Sequence, residues 1–190
     1  MSIFKKEGIR MKKLVVVLGS PREGSVSTML ADEAIRGAKE AGYEVVTYDA
    51  WEMNIKGCKG CGCCRAGGID CVIQDDMQAY WKDLHTCDAL LVTAPNYYAT
   101  VAGHVITFMN RHYCLTNADR TERLKPGIKF GAIFTQGAPE GFDSKYKENY
   151  DWFVGTFTSK GMELAGEIIA GGGSDLEAKK KEAYSMFSES

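Results

Sequence analysis

No apolar run in this chain approaches the roughly 20 residues that a bilayer-spanning helix needs. Residues 1–10 carry charges but no apolar stretch of the kind a secretory leader requires. They read as an N-terminal arm, with Met11 as an alternative start, before one domain over residues 11–190. A stripe of Lys and Arg is also missing. Twenty-three basic side chains face 25 acidic ones, for a net charge of −2 and a pI near 6.0, so nucleic acid is not an expected partner. The three histidines, His85, His104 and His112, share no ligand spacing and read as packing or surface residues. No Ser-His-Asp or Cys-His arrangement is present, and no catalytic side chain is assigned. Neither G-x-x-x-x-G-K-S/T nor G-x-G-x-x-G occurs, which argues against a P-loop with Mg²⁺ and against a dinucleotide held in the Rossmann manner. Internal repeats, low-complexity segments and domain linkers are absent. A soluble, cytoplasmic protein without a membrane partner is expected.

What is there alternates between strands and helices. Apolar runs at 14–18, 43–48, 89–93, 128–134 and 162–169 read as strands. Helical patterns follow at 29–42, 77–86, 101–113, 145–160 and 175–187. Five βα units with continuous rather than alternating apolar strands imply a parallel sheet covered on both faces. The predicted fold is α/β, a flavodoxin-like three-layer α/β/α sandwich. Its five-stranded parallel sheet has the order 2-1-3-4-5. Ligands of such sheets sit beyond the carboxyl ends of the strands, which brings three loops together.

The first loop, 19–28, puts hydroxyls and Arg22 at a helix start. Free backbone N–H groups, Ser and Thr hydroxyls and a guanidinium suit a terminal phosphate monoester. A plain Ser or Thr cap is the simpler alternative. The second loop, Ala94-Pro95-Asn96-Tyr97-Tyr98-Ala99-Thr100, offers two tyrosines to flank a planar ring, or merely to pack at a strand end. The third, Thr135-Gln136-Gly137-Ala138, offers close backbone approach and an amide, or an ordinary turn. Phosphate, ring and ring edge together have the shape of FMN.

Gly19-Ser20-Pro21-Arg22 followed by Ser27-Thr28 resembles the G-S-P-R-x-x-S-x-T phosphate loop of the NADPH-dependent FMN reductase family. Ala94-Pro95-Asn96-Tyr97-Tyr98 followed by Phe108-Met109-Asn110-Arg111 resembles its P-x-Y stretch and its helix ending in F-x-D-R. The loop is one residue longer than the pattern, so either Ser25 or Ser27 matches the family serine, and Asn110 stands where the family often has Asp. The resemblance covers residues 12–169. It implies that Ser20, Arg22, Ser25 or Ser27, and Thr28 hold the FMN phosphate. By the same resemblance Pro95, Asn96, Tyr97 and Tyr98 hold the isoalloxazine, Gln136 and Gly137 approach its edge, and the chain forms a homodimer or homotetramer.

Five of the seven cysteines fall between residues 58 and 71. In a reducing compartment this suggests metal or redox chemistry rather than disulfides. Cys58, Cys61, Cys64 and Cys71 read C-x₂-C-x₂-C-x₆-C, with Cys63 a bystander. The pattern resembles the cysteine motif of the iron–sulfur flavoproteins, which implies a 4Fe–4S cluster beside FMN. Zinc on four thiolates and a bare loop are the alternatives. Cys87 and Cys114 read as small apolar core residues, and Asp75-Asp76 as a helix start. The expected activity is FMN-dependent oxidation of NAD(P)H, with electrons passed to a small-molecule or protein acceptor. A non-catalytic FMN carrier fed by a protein donor, and a zinc- or thiol-based binding module, are the other readings.

Overall fold

The computed structural model describes residues 10–142 and 144–188. All of the expected arm except Arg10 lies outside the described residues. Arg10 donates to the Thr86 carbonyl oxygen and pairs with Asp88.

The predicted strands form as one parallel sheet. β1 (Lys12–Leu18) lies between β2 (Tyr43–Asp49) and β3 (Ala89–Tyr97). β5 (Lys129–Pro139) follows β3, and β6 (Glu163–Gly172) closes the edge, giving the order β2-β1-β3-β5-β6. This is the flavodoxin-like order expected, with one correction. A sixth strand, β4 (Thr100–Val101), folds back antiparallel on the end of β3, pairing Tyr97 with Thr100 and Asn96 with Val101. The two residues between, Tyr98 and Ala99, both have positive φ, 52° and 70°. A two-residue hairpin needs this, and Gly or Asn normally supplies it. Neither residue type stands here, so the turn carried no sequence signal.

Side chains of β1 alternate between two cores. Leu14 and Val16 pack with Leu30, Ala34, Leu91 and Ile133 under α1 (Val26–Glu40) and α6 (Leu176–Ser185). Val15 and Val17 face the other way, onto Tyr80, Trp81, Phe108 and Phe153. Those side chains come from α3 (Met77–Leu84), α4 (Gly103–Asn110) and α5 (Ser144–Thr158). All four β1 side chains are fully buried, each contributing about 1.5–3 kcal/mol of hydrophobic stabilisation. A short helix, α2 (Cys63–Gly67), interrupts the cysteine segment.

Three strands run further than their apolar cores. β3 reaches Tyr97, β5 reaches Pro139 and β6 reaches Gly172, held in register by Pro95 opposite Thr135 and Thr135 opposite Ala170. Hydropathy marks where burial ends. Ladder hydrogen bonds continue through polar residues as long as a neighbour supplies partners. These extensions project past the core and build the walls of the candidate site. The helix expected at 101–113 is shorter, because a 3-10 turn (Arg111–Leu115) replaces its last part.

Candidate functional site: a cleft at the carboxyl ends of the strands

The first loop starts where the chain has no room for a side chain. A Cβ on Gly19 would lie 2.2 Å from the Thr93 carbonyl oxygen and 2.7 Å from a Val105 methyl. Its N–H donates to Thr93 Oγ1 at 2.8 Å, and His104 Nε2 donates to its carbonyl oxygen at 2.8 Å. Ser20 is buried and its hydroxyl accepts from the Arg22 N–H at 3.3 Å. Ser25 caps α1, its Oγ accepting from the Thr28 N–H at 3.2 Å. The Ser27 and Thr28 hydroxyls gather on that same oxygen at 3.0 and 2.9 Å. The helix thus starts three residues before the predicted position, and both candidate serines belong to one hydroxyl cluster. First-turn N–H groups that no helical carbonyl reaches sit beside it. Arg22 is exposed, with no ion-pair partner among the described residues.

A cleft of about 250 Å³ opens next to this loop. It gathers Arg22, Pro95, Asn96, Tyr97, Gln136 and Gly137 of the expected residues. Tyr98 stands apart, fully exposed at the tip of the β3–β4 turn. Gln136 lines the cleft, yet its amide is committed elsewhere. Nε2 donates to the carbonyl oxygens of Pro139 at 2.8 Å and Ala138 at 3.3 Å, and Oε1 accepts from the Tyr150 hydroxyl at 2.8 Å. Backbone is therefore what the third loop presents. Val26 and Thr135 of the lining lie in the predicted loops without having been singled out, and sequence reasoning missed Ala170, Gly171 and Gly172. The glycine run was the available signal. A Cβ on Gly172 would lie 2.7 Å from the Gly137 carbonyl oxygen, so only glycine lets β6 close against the third loop. A second hollow, of about 380 Å³, lies at the amino ends of the strands near Tyr43, Lys129 and Phe187, away from these loops.

The cysteine segment leaves β2 at the same end of the sheet. Trp51 packs edge-on against His104, centroids 5.3 Å apart, which links the start of the segment to the Gly19 carbonyl. Arg111, buried at the end of α4, clamps the base of the loop. Its guanidinium donates to the carbonyl oxygens of Lys56 at 2.8 Å and Ile73 at 3.4 Å, and it pairs with the fully buried Asp75 carboxylate. Burial alone would raise the Asp75 carboxyl, but Arg111 and the Lys56 and Met77 N–H groups outweigh it and hold it below the usual carboxylate range. Asp75 does accept from the Met77 N–H at 3.2 Å, as a helix start should. Asp76 makes no such cap and accepts from the Asn54 N–H at 2.7 Å. Both carboxylates hold the loop.

The structure brings Cys64 and Cys71 inside, close enough to influence one another, with the Arg111 guanidinium within reach of the Cys71 thiol. Arg111 Nε has no hydrogen-bond partner among the described residues. Cys58 and Cys61 are exposed on a stretch hinged at Gly60 and Gly62, both with positive φ. Among the described residues no three His, Cys, Asp or Glu side chains converge on one metal position. Four cysteines are the donor type a thiolate-ligated centre takes, and of these Cys64 and Cys71 are buried while Cys58 and Cys61 are exposed. Cys63 sits beside Cys61 and its N–H lowers the Cys61 thiol, so Cys63 is a neighbour of the set rather than remote from it. Cys87 and Cys114 are buried, and burial pushes both thiols up to about 12, as inert core residues.

The histidines have the structural roles expected. His85 pairs with Asp70 at 2.8 Å, and His112 is buried against the Tyr80 hydroxyl. Among the described residues no helix is long and apolar enough to cross a membrane.

Known proteins are similar to this chain in sequence and in fold. The chain is 34% identical over 99 residues to an iron-sulfur flavoprotein of Archaeoglobus fulgidus, a match covering 52% of this chain and 44% of that protein. It is 28% identical over 160 residues to an iron-sulfur flavoprotein of Methanosarcina thermophila, covering 84% and 77%. The chain thus spans less than half the length of the Archaeoglobus relative. The solved NAD(P)H:quinone oxidoreductase from Methanothermobacter marburgensis superposes with a TM-score of 0.75 at 14% identity over 94% of this chain and 96% of that one, a likeness of fold. The model of the NADPH-dependent FMN reductase family matches residues 12–158, across β1 to α5 and all three cleft loops. On that match the chain belongs to the NADPH-dependent FMN reductase family.

Proposed function

We propose that this chain is an FMN-dependent NAD(P)H oxidoreductase that passes electrons to a small-molecule or protein acceptor, with a 4Fe–4S cluster on its cysteine loop. One observation carries the flavin reading: Arg22, with no ion-pair partner among the described residues, lines a cleft walled by Pro95, Asn96, Tyr97 and the glycine ends of β5 and β6, and the hydroxyl cluster at the start of α1 lies in the same loop. Arg22, Ser20, Ser25, Ser27 and Thr28, with the α1 N–H groups, would take a phosphate dianion. Asn96 and Tyr97 would orient a planar ring, and the Gly137 backbone would approach its edge. When bound, FMN supplies hydride acceptance and release of electrons singly or in pairs. No side chain of this chain is required as acid or base for that.

The cluster reading is supported by the C-x₂-C-x₂-C-x₆-C spacing, with Cys64 and Cys71 buried at the base of the loop, and by the names of the two relatives. Cys58 and Cys61 would swing on the Gly60 and Gly62 joints to complete the ligand set, and a cluster there would carry single electrons. The exposed Tyr98 turn is consistent with assembly into a homodimer or homotetramer. The test is the visible spectrum of protein purified without oxygen, with iron, sulfide and zinc analysis and an NADH and NADPH oxidation assay using quinone or ferricyanide. Flavin absorbance with turnover is expected. A colourless protein that takes up no FMN overturns the flavin reading, and flavin-loaded protein free of iron from iron-replete cells overturns the cluster.

A further inference from the structure

Three polar side chains from three elements form one hydrogen-bonded line along the cleft wall. Asn96 Nδ2 donates to the Tyr150 hydroxyl at 3.1 Å, and that hydroxyl donates to Gln136 Oε1 at 2.8 Å. Tyr150 is 1% exposed and stacked on Phe134, ring centroids 4.2 Å apart and 12° from parallel, so its hydroxyl cannot leave the line. Proton counting sets the direction of every bond. Gln136 Nε2 faces two carbonyl oxygens, those of Ala138 and Pro139, and an amide oxygen turned there would meet only lone pairs. Gln136 must therefore offer Oε1 to Tyr150. A phenol has one proton, and Gln136 takes it. Tyr150 can then only accept from Asn96, so Asn96 must turn its NH₂ inward. Its Oδ1 is left without a partner among the described residues, on a half-buried residue of the cleft lining.

We propose that Tyr150 is a positioning residue that locks Asn96 as a hydrogen-bond acceptor toward the cleft, so that the site selects the imide N3–H of a flavin ring. This rests on the FMN reading above. The oxidised isoalloxazine has a single N–H, at N3, and its other polar ring atoms accept. A ribityl hydroxyl rotates to suit either end of an amide and needs no partner of fixed polarity. Only a donor of fixed direction rewards an acceptor held in one orientation. Neither Tyr150 nor its hydroxyl touches the ligand; its part is to stop the amide from flipping.

The test compares dissociation constants of FMN and 3-methyl-FMN by fluorescence titration. Methylation removes the N3 donor and nothing else that is polar. The wild-type chain should bind 3-methyl-FMN about tenfold or more weakly, since a buried acceptor is left unpaired. Tyr150→Phe keeps the stacked ring but frees the Asn96 amide to flip, so the ratio should fall to within about threefold. Adding Asn96→Asp to Tyr150→Phe restores a group that only accepts, and the discrimination should return. Asn96→Ala, at a half-buried position where the core is not disturbed, should abolish it independently of Tyr150. A wild-type ratio near one, or a ratio unchanged in Tyr150→Phe, overturns the proposal, because shape alone would then exclude the methyl group. A wild-type chain that binds neither flavin overturns the FMN reading itself, and this inference with it.

Discussion

Gly19 shows how much a single position decides at the start of the site. Its missing side chain lets β1 turn under the Thr93 carbonyl, and Thr93 and His104 then hold its two backbone groups. The glycine was visible in the sequence, but its two partners were not, because they lie more than 70 residues away. Arg22 is the opposite case, an exposed guanidinium on the cleft with no ion-pair partner among the described residues. Arg22→Ala should raise the FMN dissociation constant about tenfold to a hundredfold, the value of a charge-assisted hydrogen bond, and an unchanged constant removes Arg22 from the phosphate site. His112 offers a residue-scale prediction about pH. Burial lowers it from the ordinary 6.5 to about 4, with Nδ1 donating to the Phe108 and Met109 carbonyl oxygens and Nε2 accepting from Tyr80. The unfolded chain therefore binds the proton more tightly than the folded one. The stability from a neutral His112 is full above pH 6.5 and is lost as pH falls toward 4, on the order of 3 kcal/mol across that span. Urea midpoints measured through this window should fall in the wild type and fall less in His112→Gln.

At the scale of elements, two short segments depart from their local propensities. The Tyr98-Ala99 turn forces two non-glycine residues into the left-handed region, which costs about 1–2 kcal/mol each. Ala99→Gly should therefore stabilise the chain by about 1 kcal/mol, read as a higher Tm. The turn also carries the fully exposed Tyr98, so strain and exposure coincide beside the cleft. The cysteine loop is the second segment. Its interior has little regular structure, but its base is closed by Arg111 and Asp75, both buried. Arg111→Met leaves the Asp75 carboxylate buried and alone, and should cost about 3–5 kcal/mol in urea unfolding. Arg111→Met with Asp75→Leu should recover much of that loss, since it removes the stranded charge. The sequence showed Asp75-Asp76 only as a helix start and Arg111 only as part of a family motif. The ion pair joining them spans 36 positions, which no local pattern reports.

For the whole molecule, the cleft is made of strand ends that extend past the core, so filling it should stabilise the sheet that presents it. FMN at a hundred times its dissociation constant should add about 2.7 kcal/mol. For a chain of this size that raises Tm by about 5–10 °C, measurable by scanning fluorimetry, and no shift would argue against a ligand at this end of the sheet. The architecture itself was legible from the residues. Continuous apolar strands alternating with amphipathic helices leave few options other than a parallel sheet covered on both faces, and the hydroxyls and Arg22 of the first loop were visible there as the grounds for expecting an anion site. Local composition sufficed because strand burial, helix periodicity and caps are short-range properties. Only the tertiary structure decided the rest. It put Ser25, Ser27 and Thr28 on one shared oxygen, turned Tyr98 outward, committed the Gln136 amide to protein and gave Asn96 its direction through Tyr150. It also divided the four candidate ligands into a buried pair, Cys64 and Cys71, and an exposed pair, Cys58 and Cys61. Each of these depends on which distant group supplies or withholds a hydrogen-bond partner, and that is set by packing across the sheet rather than by neighbours in the chain.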